Sequence, residues 1–227
     1  MHTIHKVDGL LRKKLEPMFS AHHRVDFGID SILEGQSGKQ ISVTLDDVAN
    51  PSVALLRYGT FGIFGGDAAH ANAHALMQSI ELPCAIQPSP EVWMILLQNN
   101  YTDKIKKIER FSFTHQFIDA DDISRIIQQH PYFNNLHEIS TATALAMENE
   151  EWHKYHLLNY DSAASFAANS FANGVTIDGI LASVCSSALR CAKGIELNVI
   201  TQPAFRKKGL AELVAAATVT AALEHDL

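Results

Sequence analysis

A chain of 227 residues with 47% hydrophobic and 19% charged residues has globular composition and can bury one core or two compact ones, which excludes the disordered and fibrous classes. Its formal net charge of −7 argues against a general binder of nucleic acid or of anionic membranes, since such proteins carry a broad Lys/Arg excess. Three cysteines without metal-type spacing (Cys84, Cys185, Cys191), no apolar signal core in the first 14 residues, and a longest apolar run (Leu213 to Leu223) too short for a bilayer together predict a cytoplasmic protein with buried thiols.

Residues 1–23 carry Ile4, Val7, Leu11, Leu15 and Met18 at helical spacing, which predicts a helix there. Alternation through Ile41, Val43 and Leu45 and the run Val53 to Tyr58 predict two strands. Asp67 is expected to open a helix reaching about Ile80, and Pro90 a second one carrying Val92, Trp93, Ile95 and Leu96. Lys107 to Phe117 reads as a strand, and Asp121 with Asp122 leads a helix that stops before Pro131. Asn135 to Tyr160 is helical or loop-like, and Ser162 to Ser170 a short helix. Asp178-Gly179 between Gly174–Ile177 and Ile180–Cys185 is a hairpin signal, because that dipeptide supplies the positive φ angles of a two-residue turn. Gly194 to Thr201 reads as a further strand, followed by a loop and a helix from about Lys207 to His225. The change of texture places a boundary near residue 130, giving units 1–130 and 131–227.

The chemistry concentrates in Gly194-Ile-Glu-Leu-Asn-Val-Ile-Thr-Gln-Pro-Ala-Phe-Arg-Lys-Lys-Gly-Leu-Ala. Here an apolar strand ends at Thr201, Pro203 stops the ladder, and Arg206 to Ala211 turns into a helix start. Gly209 has no Cβ and Ala211 a small one, so a ligand can approach the backbone closely. First-turn amides carry partial positive charge suited to a pyrophosphate, and Arg206, Lys207 and Lys208 add formal charge at that point.

Arg206-Lys-Lys-Gly209-Leu210-Ala211 matches the Arg/Gln-x-x-Gly-x-Gly/Ala pattern, and the chain resembles the GNAT superfamily of N-acyltransferases. Phe166 and Phe171, Asp178-Gly179, Ser183 and Ser186, Gly194-Ile195-Glu196, and Thr201-Gln202-Pro203 are similar to the acetyltransferase-like group that includes zwittermicin-resistance type proteins. The resemblance implies an α+β fold. A mixed, mostly antiparallel sheet flanked by helices would form the C-terminal half, beside a smaller N-terminal α/β unit. It implies acetyl-CoA as co-substrate and a small-molecule or peptide amine as acceptor, with no nucleic acid or membrane partner; a homodimer is compatible with it. Leu197, Asn198 and Val199 would hold the pantetheine arm, and Arg206 to Ala211 (Arg206, Lys207, Lys208, Gly209, Leu210, Ala211) the pyrophosphate. Glu196 is the candidate general base, and reads equally as an outward-facing strand position. A tyrosine on a later helix, which many relatives use as acid, has no counterpart here. The strand expected after the last helix is also missing, since the sequence stops at His225-Asp226-Leu227. That implies a truncated sheet with weak or no transferase activity, so a non-catalytic CoA-binding or protein-interaction module is the alternative to an enzyme.

Other signals read as structure. Asp67, His70 and His74, and His153 with His156, have helical spacing for metal ligands but lack the zincin glutamate, so no metal site is expected. Gly59, Gly62, Gly65 and Gly66 follow an apolar strand without a Walker lysine or dinucleotide spacing, and a turn or bulged hairpin is expected. Arg12-Lys13-Lys14 reads as a solvated helix face.

Overall fold

The computed structural model describes residues 1–20, 22, 27–87, 91–102, 104–109 and 119–225. The chain forms two compact units, Met1–Phe111 and Ser112–Leu227. Each has its own sheet and core.

In the first unit, strand β1 (His2–Ile4) precedes helix α1 (Gly9–Leu15), a 3-10 turn Glu16–Phe19, and helix α2 (Phe27–Leu33). Next come strands β2 (Ile41–Leu45), β3 (Val53–Tyr58) and β4 (Phe61–Gly66), helix α3 (Ala73–Gln78), strand β5 (Ala85–Gln87) and helix α4 (Glu91–Tyr101). The sheet order is β1-β2-β3-β4-β5, antiparallel except for the parallel β4–β5 pair. Stacking of Phe64 on Trp93 at 4.7 Å centres the core, and the Trp93 indole donates to the Gly66 carbonyl at 3.2 Å. Burying two such rings against each other is among the larger contributions one contact can make.

Three expectations change here. The helix expected over 1–23 is interrupted: Ile4 pairs with Val43 in the sheet, and Asp8 starts α1 by accepting from the Leu10 and Leu11 amides. A residue at helical spacing can equally fill one strand position, and the side-chain cap decides where the helix begins. The helix expected from Asp67 begins only at Ala73, because Asp67 instead caps a tight turn through the Ala69 amide at 2.9 Å. His70 therefore lies outside α3 and shares no helix face with His74. Of the strand expected over 107–117, residues 107–109 have no regular structure and 110–117 fall outside the described residues.

The second unit begins with helix α5 (Ala120–Gln129), strand β6 (Leu136–Glu138) and helix α6 (Thr141–Met147). A 3-10 helix His153–Leu157 and helix α7 (Ala163–Asn169) follow, then strands β7 (Ala172–Ile177), β8 (Ile180–Cys191) and β9 (Gly194–Thr201), and helix α8 (Leu210–Leu223). The sheet is antiparallel throughout, in the order β6-β7-β8-β9. The hairpin turn forms as expected, with φ of 50° at Asp178 and 78° at Gly179. Helix α5 packs on α8, so it belongs to this unit, and the division at 111/112 precedes the expected 130.

β8 is buried along nearly its whole length because both sheet faces are covered. Leu210, Leu213 and Val214 of α8 pack on Val175, Ala182 and Cys185. On the opposite face, Met147, Leu157, Tyr160 and Phe166 pack on Ala172, Leu181 and Val184. The buried stripe of α8 continues through Ala217, Thr218 and Ala222, and the Thr218 hydroxyl donates to the Cys185 carbonyl at 3.2 Å. Overall the fold is mixed α/β, with a mostly antiparallel sheet in each unit and helices on the sheet faces.

Candidate functional site

Among the described residues β9 lies at the sheet edge, and its register shows which backbone groups turn outward there. The Gln202 amide donates to the Ala182 carbonyl at 2.9 Å, which fixes the phase of the ladder. Counting back in twos, Ile200 and Asn198 turn their peptide groups toward β8, while Thr201, Val199 and Leu197 turn theirs outward. The outward Thr201 carbonyl is taken by the Arg206 guanidinium Nε at 3.2 Å. Beyond it, the Val199 edge faces an open cleft of about 570 Å³.

One wall of the cleft is the loop between β9 and α8. Pro203–Phe205 forms a 3-10 turn that ends the strand. Lys207 then takes φ 62° and Gly209 φ 75°. A non-glycine residue in this left-handed region costs about 1–3 kcal/mol, and such residues concentrate at functional loops. The left-handed pair explains why α8 starts at Leu210 rather than at the expected Lys207. Gly209 caps the helix without any side-chain hydrogen bond, so the amides of Leu210, Ala211 and Glu212 keep the unpaired donors of a first helical turn. The leading amides of α8 therefore border the cleft beside Arg206 and Lys207. Lys208 turns elsewhere, its ammonium 5.3 Å from the Phe205 ring centroid and 5.9 Å from that of Tyr132.

Behind Gly209 stands His130, at the C-terminal cap of α5. Its Nδ1 accepts from the Tyr132 amide at 3.2 Å, which leaves the ring proton of the neutral form on Nε2. A Cβ at position 209 would come within 2.8 Å of that Nε2. Position 209 thus excludes side chains both by its φ and by this ring. Nothing in the sequence near 206–211 signals His130.

The opposite wall carries Trp152, the N-cap of the 3-10 helix His153–Leu157, and Tyr155 within it. Two buried histidines seat this segment on β8. His153 Nε2 donates to the Leu181 carbonyl at 2.8 Å, and His156 Nδ1 lies 2.7 Å from the Ser186 hydroxyl. Their rings stack at 5.9 Å. Burial lowers both pKa values, and for His156, with the neighbouring His153 adding to the effect, to about 3. Both histidines are therefore neutral near pH 7. Histidine spacing marked this stretch in the sequence, but the residues reaching the cleft are Trp152 and Tyr155, each one position before a histidine.

The cleft brings together Val199, Arg206, Lys207, Gly209, Leu210 and Ala211 of the residues expected from sequence, and adds Ile200, Thr201 and Phe205. Glu196, Leu197, Asn198 and Lys208 do not line it. Glu196 is half-buried, opposite Leu189 where the β8–β9 register slips, and on the strand face shared by Asn198 and Ile200. Among the described residues the cleft walls carry no carboxylate. Cys185 lies on the α8 face, where burial pushes its thiol up to about 11, so it serves packing rather than nucleophilic attack. Among the described residues no group of three or more His, Cys, Asp or Glu side chains could hold a metal ion. No helix among them is long and apolar enough to cross a membrane.

The site thus joins an edge strand to a left-handed loop and an uncapped helix start with two cations beside it, in a mixed α/β fold. The sequence model of the GNAT acetyltransferase family matches residues 17–227, and the chain belongs to that family of acyl-transferring proteins. Its fold is similar to the crystal structure of a GCN5-related N-acetyltransferase-like protein from Streptococcus suis 89/1591, with a TM-score of 0.78 and 22% identity, covering 96% of this chain and 86% of that one. No curated protein matches the sequence.

Proposed function

We propose that the chain binds acetyl-CoA and transfers its acetyl group to an amine, by direct attack of the amine nitrogen on the thioester carbonyl. Within the family we place it with the group that includes zwittermicin-resistance type proteins, on Gly194-Ile195-Glu196 and Thr201-Gln202-Pro203. The observation that carries the reading is the meeting of two unsatisfied backbone surfaces in one cleft: the outward edge of β9 at Val199 and the first-turn amides of α8.

The first-turn amides, with Arg206 and Lys207, would hold the pyrophosphate; the helix start and the cations act on the same charge. The Val199 N–H and C=O, with Leu197 further along, would pair with the pantetheine arm as an added strand would. In the reaction the nitrogen–carbon bond forms, the carbon–sulfur bond breaks, and the amine proton leaves to a base while CoA departs as thiolate. Glu196 is our candidate for that base, and the acceptor is a small-molecule or peptide amine. We place the reaction in the cytoplasm. One observation favours a second reading, a CoA-binding module without chemistry: no carboxylate lines the cleft where the loop and strand edge meet.

Two measurements separate these. CoA should raise the melting temperature of the wild-type chain under either reading, and single-turnover acetyl transfer to a panel of amines should occur only under the first. Binding without transfer selects the module. No thermal shift with CoA removes both.

A further inference from the structure

We infer that Trp152 and Tyr155 grip the pantetheine arm of the donor, close to its diphosphate end, and take no part in choosing the acyl group or the acceptor. This rests on the CoA reading above and deepens it.

Position along β9 carries the inference. The aromatic pair shares its cleft with Val199, Ile200 and Thr201, the last three residues of the strand, and with the loop leading to α8. The segment bearing the pair is fastened in the same place. Gln202 Nε2 donates to the Glu150 carboxylate at 3.3 Å and to the Leu181 carbonyl at 2.9 Å, and His153 Nε2 donates to that same carbonyl. His156 meets Ser186, which pairs with Asn198, so the 3-10 helix follows β9 away from the loop. Glu196 lies five positions before Thr201. At about 3.4 Å per residue, that puts roughly 17 Å between the loop end of the strand and the candidate base. A donor anchored at α8 and running along the strand edge passes Trp152 and Tyr155 first, and presents its thioester only further on.

The chemistry of the wall suits that stretch of ligand. The arm is a flexible chain of amides and methylenes, and its outward-facing partner on β9 is backbone. An indole and a phenol ring on the other side supply apolar area at little cost in their own conformational freedom. Trp152 is half-buried and Tyr155 is 52% exposed, so both rings retain free surface to cover. The two buried histidines hold the segment so that this surface is set before the ligand arrives.

The test compares CoA with 3′-phospho-ADP, which keeps the diphosphate and lacks the arm, by calorimetry on wild-type, Trp152→Ala and Tyr155→Ala chains. Each variant should weaken CoA by about five- to twentyfold and leave 3′-phospho-ADP within twofold of wild type. Tyr155, the more exposed, serves as the control for a Trp152 variant that fails to fold. Equal losses for both ligands, or unchanged CoA affinity, would overturn the assignment to the arm. Wild-type protein that binds neither ligand would overturn the CoA reading itself and this inference with it.

Discussion

Gly59–Gly66 and Arg206–Ala211 both place glycine between an apolar strand and a helix, yet their backbones end in opposite circumstances. In the first, Phe61–Gly66 is strand β4, paired antiparallel with β3 and in parallel with β5, so the sheet takes up its amides. Side chains of the protein fill the space the glycines leave: a Cβ at Gly65 would meet the Phe19 ring at 2.6 Å. In the second, a 3-10 turn ends the strand and two left-handed residues launch a helix without a side-chain cap, leaving donors at the rim of a cleft. Glycine content does not make an anion site. What matters is whether the fold has already spent the surrounding N–H groups.

Substitution at position 209 should have the most severe consequence. Gly209→Glu places a carboxylate and a Cβ where φ is 75° and His130 is 2.8 Å away, and calorimetry should show CoA affinity falling at least on the order of a hundredfold. Retained affinity would mean that the α8 amides are not the anchor. Arg206→Ala and Lys207→Ala, which remove the cations lining the same rim, should each cost on the order of tenfold and flatten the salt dependence of binding. The matching change in the first unit, Gly65→Ala, should lower stability by about 1–3 kcal/mol through overpacking against Phe19. It should leave CoA affinity unchanged, and a loss of affinity there would blur the contrast.

Acidification tests the wall opposite the loop. His156 titrates at about 3 when folded, against an ordinary value of 6.5. Above pH 6.5 the imidazole is neutral in both states and contributes no pH dependence. As pH falls from 6.5 toward 3, the unfolded chain takes up a proton that the folded one refuses, and stability drops by roughly 1.4 kcal/mol per pH unit. His153, also lowered, acts in the same direction. Urea unfolding followed from pH 7 to pH 4 should show this slope, reduced in His156→Gln. The mildest change should be Lys208→Ala, less than twofold on CoA affinity, because Lys208 is not among the residues lining the cleft and its ammonium rests on the Phe205 and Tyr132 rings.

Much of the second unit was legible in the sequence because its signals are local. Asp178-Gly179 fixes a turn by φ alone, and Pro203 with Gly209 brackets the loop. Elements set by distant partners were not legible. β6, three residues long, exists because it pairs with β7 nearly 40 positions away, and β1 because Ile4 meets Val43. For the same reason His130 and the Trp152–Tyr155 wall escaped a reading that followed the motif: they reach position 209 and the strand edge only through tertiary packing. Alternation along β9 places Glu196 and Val199 on opposite faces, but how far along each face the cleft reaches depends on α8 and on the helices across the sheet.

Backbone amide chemical shifts recorded during a CoA titration would locate the ligand residue by residue. The largest changes should fall at Val199 and at Gly209 through Glu212, with Phe61 to Gly66 unmoved. Changes centred on the β4 glycines, or saturating CoA with the Leu210 and Ala211 amides undisturbed, would contradict that placement of the ligand.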